Sequence, residues 1–421
     1  MEITMSVFRY LLPTVAAAVM VSSLGFAQTP ESEKDSKALR EYTKMKRGVS
    51  VRDKGGDMYL SGDVRFEYQN VTESSNGTSQ RGSGTGNPNH VYDVEVNLAL
   101  DYKADDAWAA VNLEFDNDAG ANAPSGANVG ASGQKDALWL KRAYVGYNLF
   151  QVDAAKLDME VGRRQLYDLF SSVVQFGNQM DGVAFRYANS MESVGDFSTN
   201  FGAWIVDDVV DHYAWAVQFG LMDITDTGLY AKFSYIHWDK SGVNRWGYKP
   251  GDLELGREYQ SRNSELMVGY KFQPEVLRTD LNVYASYLIN HASKKLPKFD
   301  NKRKNKAWVI GARFGKIEYA GDWVVDVNWQ QVGAQAVLAV DLAGIGSGNI
   351  NGNIEAAALD SANPATVAGP ANYKGYEIEA TYALTDNFNW SIGYESTNAA
   401  DKKIGGRKSY KKLELETVYS F

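Results

Sequence analysis

The sequence predicts an all-β chain: a transmembrane antiparallel β-barrel of about sixteen strands, with one loop folded inward between strands 5 and 6. Three observations carry this. Long stretches alternate strictly between one apolar face and one charged face, as a period-two strand requires. The composition, with 25 Tyr, 10 Trp, 17 Phe and 39 Gly against 9 Pro, favours many strands and tight turns. The connections sort by length with strand parity. An even-stranded barrel that starts and ends on one side of a membrane sends its long loops to the other, whereas a soluble sandwich has no reason to sort them.

The chain opens on a segment of a different kind. Residues 1–27 have a short leading region with Arg9, an apolar run from Leu11 to Leu24, and the small residues Gly25 and Ala27 before a cut at Gln28. That is the pattern of a secretory signal peptide, and its apolar run is shorter than the roughly 20 residues a retained helix needs. Residues 28–56 mix Lys34, Lys37, Arg40, Lys44, Lys46 and Arg47 with Glu31, Glu33, Asp35 and Glu41, which reads as a solvated periplasmic arm. The chain has no cysteine, so an exported fold of this size is held by packing and backbone pairing. A net charge of −9, with no basic run interleaved with aromatics, argues against a nucleic-acid partner.

From Asp57 the strand-and-turn rhythm runs unbroken to Phe421, so 57–421 reads as one domain. Leu60, Val64, Phe66 and Tyr68 share a face opposite Ser61, Asp63, Arg65 and Glu67. Tyr92, Val94, Val96, Leu98, Leu100 and Tyr102 alternate with Asp93, Glu95, Asn97, Ala99 and Asp101. The same rule places strands near 57–69, 91–102, 107–117, 136–148, 157–163, 180–188, 198–205, 212–223, 227–239, 261–272, 279–291, 306–318, 322–332, 373–384, 388–397 and 410–421. Short links include Lys103–Asp106, Ile224–Asp226, Tyr319–Gly321 and Thr385–Asn387; long ones rich in Gly, Asn and Ser include Val71–His90, Asp118–Lys135, Lys240–Gln260 and Gly333–Asn372. Two links break the pattern: Asn189–Phe197 is long for its side and Val206–Asp211 short for its own. Aromatics gather at both strand ends, Tyr102, Tyr147, Phe272, Trp323, Phe388 and Phe421 by the short turns, and Tyr68, Tyr92, Phe115, Trp308, Trp329 and Tyr394 by the long loops. Two interfacial girdles fit this placement.

Between the fifth and sixth strands lies a loop at about 164–179. It is neither a tight turn nor a polar tip, because it carries Leu166, Tyr167, Leu169, Phe170, Val173, Val174 and Phe176. A loop that apolar has to fold inward and pack.

The final stretch, Leu413, Glu414, Leu415, Glu416, Thr417, Val418, Tyr419, Ser420, Phe421, resembles the carboxyl-terminal signature of bacterial outer-membrane barrels. With the strand count and the position of the apolar loop, the chain resembles the sixteen-stranded, trimeric general porins of Gram-negative outer membranes, with a flavour of the chlamydia-like bacteria. The resemblance implies a water-filled channel for passive diffusion of small hydrophilic solutes and ions, a homotrimer in outer-membrane lipid, and assembly through machinery that reads Phe421. It also implies that the loop narrows the pore. In such porins the loop carries acids facing a basic wall; here it offers only Asp168, with Arg163 and Arg164 at its root.

The charged faces then line water. The acids assigned to the lumen are Asp63, Glu67, Asp93, Glu95, Asp101, Glu114, Asp116, Asp158, Glu160, Glu265, Asp326, Glu377, Glu379, Glu395, Glu414 and Glu416; the bases are Arg65, Arg142, Arg164, Arg186, Lys232, Lys271, Arg313 and Lys412. The expected constriction is formed by Arg65, Arg142, Arg163, Arg164, Tyr167, Asp168, Phe170 and Arg186. Glu67, Glu95, Glu114, Asp326, Glu377 and Glu379 are expected along the lumen wall. The excess of acids favours weak cation preference, unless the arginines dominate the narrowest point. The four histidines, His90, His212, His237 and His291, are scattered, and no catalytic grouping or paired-His metal spacing occurs, so neither an enzyme nor a cofactor or metal site is expected. Two alternatives stay open. One is a sugar- or anion-specific channel lined by Tyr167, Phe170 and Phe176, and the other a structural or adhesive barrel without an open pore.

Overall fold

The computed structural model describes residues 56–82, 85, 87–118, 137–207, 212–239, 261–275, 279–293, 295, 301–338, 341–345 and 371–421. The segments read as signal peptide and arm lie outside them, as do most of the long loops 118–135 and 240–260.

Sixteen long strands make the wall. They are β1 (Asp57–Ser75), β2 (His90–Ala104), β3 (Ala107–Asp118), β4 (Ala137–Val152), β5 (Ala155–Gln165), β6 (Gln179–Met191), β7 (Gly195–Asp207) and β8 (His212–Met222), followed by β9 (Leu229–Trp238), β10 (Arg262–Phe272), β11 (Leu281–Asn290), β12 (Lys306–Lys316), β13 (Trp323–Val332), β14 (Tyr373–Thr385), β15 (Phe388–Ala399) and β16 (Lys408–Ser420). A two-residue strand, Thr78–Ser79, folds back on the end of β1. Every neighbour is antiparallel and consecutive, and β1 pairs with both β2 and β16, from Asp63 opposite Ser420 to Ser75 opposite Lys408. The ring therefore has no free edge, the condition for a sheet to cross lipid. Among the described residues no helix is long and apolar enough to cross a membrane, which says nothing of spanning by strands.

Side-chain alternation is as the sequence predicts. Leu60, Val64, Phe66, Leu100, Ile310 and Ile378 are exposed on the outside, while Ser61, Asp63, Arg65, Asn97, Glu114 and Asp326 are enclosed by the ring. Aromatics pair across strands on the outer face, Trp308 with Trp329 at 4.0 Å between ring centres and Tyr68 with Tyr92 at 5.0 Å. On one side of the wall the links are tight. Asp105 joins β2 to β3 with φ 40° and Asp153 joins β4 to β5 with φ 50°, the left-handed conformation that Asp tolerates in two-residue hairpins. The link at 189–197, expected to be long, is a three-residue turn, because β6 continues to Met191 and β7 begins at Gly195.

A ring of this size leaves an aqueous lumen unless something fills it. Two segments do so in part. The link between β5 and β6 folds inward as expected: Leu166, Leu169, Phe170 and Phe176 are fully enclosed and pack with Met180, Ala184, Trp204, Ala214, Ala216, Ile236 and Trp238 on the inner wall. The second was not expected. The link after β13, read as a long outward loop, turns into the barrel over its described part, and Ala336, Val337, Leu342 and Ile345 pack with Met267, Tyr284, Leu288, Val309, Val332 and Tyr373. The run Ala336, Val337, Leu338, Ala339, Val340, Leu342 was the available signal, since such a run is unfavourable in a solvated loop.

Candidate functional site: the bore beside two inward segments

The inward loop starts where β5 ends. Leu166–Asp168 forms a single 3-10 turn, and the Leu166 amide donates to the Asn178 carbonyl at 2.9 Å, pinching the base shut. Beyond the turn the loop alternates apolar anchors with polar clamps. Phe170 stacks on Phe176 at 4.9 Å and lies over Gly202 of β7, where there is no side chain to hold it off. Burying a side chain of this size contributes about 1.5–3 kcal/mol. Gln218 of β8 holds Ser171 in both directions, accepting from its amide at 2.9 Å and donating to its carbonyl at 2.8 Å. Lys232 of β9 donates to the Ser171 hydroxyl at 2.8 Å, Asn200 of β7 donates to the Leu169 carbonyl at 2.6 Å, and Gln175 donates to Glu265 of β10 at 3.1 Å. The loop is thus fixed on β7–β10, and the second segment sits beside it on β10–β14.

With the two segments packed over this part of the wall, the charged lining is concentrated on β12–β16 and β1–β6. It divides by charge. An acidic arc holds Asp326, Glu377, Glu379, Glu395, Glu414, Glu416, Glu67, Asp93, Glu95, Glu114 and Asp116, on β13 to β16 and β1 to β3. It is bridged by a few bases: Arg65 pairs with Glu416 at 2.6 Å and donates to Glu95 at 3.3 Å, and Lys412 reaches Glu395 at 2.9 Å and Glu414 at 2.8 Å. A basic cluster follows on β4–β6. Arg142 lies 3.8 Å from Asp168 of the loop, Arg164 pairs with Glu160, and Arg186 lies 3.8 Å from Glu160. Arg164 also sits 4.6 Å over the ring of Tyr144, which fixes its guanidinium against the wall. Side-chain exposure rises from 5% at Arg164 through 17% at Arg142 to 28% at Arg186, so Arg186 offers most charge to water.

Comparison with known proteins comes from structure alone. No family model matches the chain, and no curated protein does. The barrel is similar to the structure of OprB from Pseudomonas putida, with a TM-score of 0.50 at 10% identity over 88% of this chain and 95% of that one. This chain shares the fold of that structure, a closed antiparallel β-barrel. Lower scores are found with OmpF of Salmonella typhi in a daunomycin complex (0.49, 12% identity, 89% of this chain, 100% of that one) and with the outer membrane channel DcaP of Acinetobacter baumannii (0.46, 14%, 89% and 99%).

Within this barrel the residues expected at the site take the following positions. Arg65, Arg142, Arg164, Arg186, Tyr167 and Asp168 face the bore, as do Glu67, Glu95, Glu114, Asp326, Glu377 and Glu379. Two do not. Arg163 shares the outer face with Val161 and makes a two-point pair with Asp181 of β6, at 2.7 and 2.6 Å. Consecutive residues of a strand point oppositely, so only one arginine of the pair can enter the lumen. Phe170 is removed from the bore by its packing against the wall, and Phe176 with it. One residue is added. The β3–β4 register shifts between Asn112 and Leu113, so Lys141 has no ladder partner and turns inward beside Arg142, where it pairs with Glu114 and lies 3.3 Å from Glu95. Gly162 in β5 has φ 135° and meets the Ala143 carbonyl and Tyr144 so closely that no side chain fits, which lets the strand bend where the loop begins. Among the described residues no three His, Cys, Asp or Glu are grouped to hold a metal ion.

Proposed function

We propose that the protein is an outer-membrane channel through which small hydrophilic solutes and ions diffuse passively. The observation that carries this is the closed barrel whose inner wall, on the side the two segments leave uncovered, is charged from β13 round to β6, with Arg142 and Arg186 side chains 17% and 28% exposed. A structural or adhesive barrel has no use for a charged lining held away from lipid, and burying so many ionised groups dry is unfavourable. A path of stacked sugar rings finds little support, because of its three proposed aromatics Phe170 and Phe176 serve the packing. Uptake of small uncharged sugars into liposomes carrying the purified protein tests the reading; vesicles that stay impermeable contradict it.

Ion preference follows from the two charge groups. The acidic arc is the larger, so weak cation preference is expected, and it strengthens at low salt, where screening reaches about 30 Å at 0.01 M. Asp168 facing Arg142 sets a local transverse field at the loop root. Arg186→Ala removes the most hydrated base and should increase cation preference in the reversal potential across a salt gradient. An unchanged potential places the narrowest point elsewhere. Strong anion preference in the native chain contradicts the reading that the acidic arc dominates.

The chain is expected to act as a homotrimer in outer-membrane lipid and to reach it through assembly machinery that reads Phe421, which follows β16 with its ring exposed and whose backbone N–H and carbonyl both bond Gly62 at 2.9 Å. Crosslinking of the membrane-embedded protein should give a ladder ending at trimer; a ladder that stops at monomer removes the assembly claim.

A further inference from the structure

The two inward segments meet at a carboxyl group that the channel does not use. Asp341 is fully buried where the segments clasp, with the Gly177 amide donating to its backbone carbonyl at 3.1 Å and the Ala343 amide donating to the Val174 carbonyl at 3.2 Å. The approach is so close that a side chain at Gly177 would stand 2.6 Å from the Leu342 carbonyl oxygen. Leu342, Ile345, Val174 and Val337 make the surroundings apolar. Neither side-chain oxygen of Asp341 closes a hydrogen bond of normal geometry; the amide of Phe176 is the donor that approaches.

The charged groups on the packed elements do not neutralise it. Glu265 of β10 is the group that acts on it, and it carries the same sign. Lys232 of β9 is taken by Ser171, and Asp326 of β13 receives the Tyr284 hydroxyl from β11. Arg313 of β12 faces Asp326 and Glu379, Tyr373 of β14 donates to Gln330, and Asp168 pairs with Arg142 at the far end of the loop. Among the described residues, no base is brought to Asp341.

We propose that this clasp is a proton-operated latch: with Asp341 protonated the segment at 341–345 stays seated against the inward loop, and deprotonation drives it off and widens the bore. The proposal rests on the channel reading. An unpaired carboxylate in an apolar contact is unfavourable, and a like charge nearby adds to the cost. Burial accordingly pushes the Asp341 carboxyl well above its ordinary value of 3.8. The sign follows. The seated form holds its proton more tightly than the released form. The clasp is therefore at full strength at and below the ordinary carboxyl range and weakens as pH rises towards the raised value. Over that window the ratio of seated to released segment falls by up to ~tenfold per pH unit.

Single-channel conductance from pH 5 to 8, in salt near 1 M where screening shortens to about 3 Å and lumen charges count little, tests this. The native channel should conduct more at the upper end. Asp341→Asn keeps the shape without the charge and should hold the low value throughout. The chain has no cysteine, so Val174→Cys with Ala343→Cys can tie the segments together. Oxidation should abolish the pH response and reduction restore it. A second readout needs no conductance: maleimide labelling of Ala343→Cys, relative to the same cysteine in an Asp341→Asn background, should accelerate as pH rises. A pH response that survives Asp341→Asn or the oxidised tie, or a labelling ratio that is flat with pH, overturns the latch. Absent conductance at every pH overturns the channel reading instead, and labelling still decides the latch.

Discussion

Replacing Phe170 with alanine should free the inward loop from the wall and raise conductance while leaving the barrel intact. The ring is fully enclosed, stacked on Phe176 and seated over Gly202, and it contacts no lipid and no strand hydrogen bond. Removing a buried Phe costs about 3–5 kcal/mol, because the transfer energy is lost and the cavity does not collapse. The other anchors are hydrogen bonds such as those from Asn200 and Lys232, each worth about 0.5–1.5 kcal/mol net, or up to ~3 kcal/mol where a charged group takes part. The lost ring therefore outweighs any one of them. The strands are paired independently of the loop, so the heat-modifiable gel migration of a folded barrel should persist. Larger single-channel steps and faster protease nicking between Leu169 and Asn178 are the expected readouts. A folded variant with unchanged conductance would mean that the loop does not limit the bore.

Charge placed on the outer wall should be nearly as costly. Ile378 is exposed midway along β14, opposite Val327 of β13 and Tyr394 of β15, all on the outer face. Arginine there faces hydrocarbon, and Ile378→Arg should destabilise by about 2–4 kcal/mol if it lies near the midplane. Its chain neighbour Glu377 points inward and accepts from Asn328 at 2.8 Å. Glu377→Gln keeps an acceptor for that bond and should cost about 1 kcal/mol or less. Unfolding in urea from lipid vesicles compares the two, and equal losses contradict the facing of the wall. Inner positions are not uniformly permissive, however. Asn97 is buried and donates to Asp63 at 3.1 Å, so arginine there disrupts a filled network although it never meets lipid.

The strands were legible because lipid outside and water inside impose a two-residue period on every strand, and the sequence obeys it. The ends of β6 and β7 were misplaced, since Asn189, Ser190 and Asp196 look like turn residues even when paired. Inward facing was legible at Arg65, Arg142, Arg164 and Arg186, where alternation alone decides which side of the wall a side chain takes. It failed at Lys141, because a bulge resets the period and leaves no mark in composition. Reading Arg163 and Arg164 together ignored the same alternation. The second inward segment was missed because its length and its glycines suggested an outward loop, although Val337, Leu342 and Ile345 were apolar enough to predict packing. For Phe170, pattern could say that the ring is buried but not which surface buries it.

Planar-bilayer recording of the purified native protein tests the central claim most directly. A closed barrel part-filled by two packed segments and lined elsewhere by charged side chains should give discrete, ohmic, long-lived conductance steps with weak cation preference. Bilayers that stay silent, while the protein is shown to be folded by its gel migration, would contradict it.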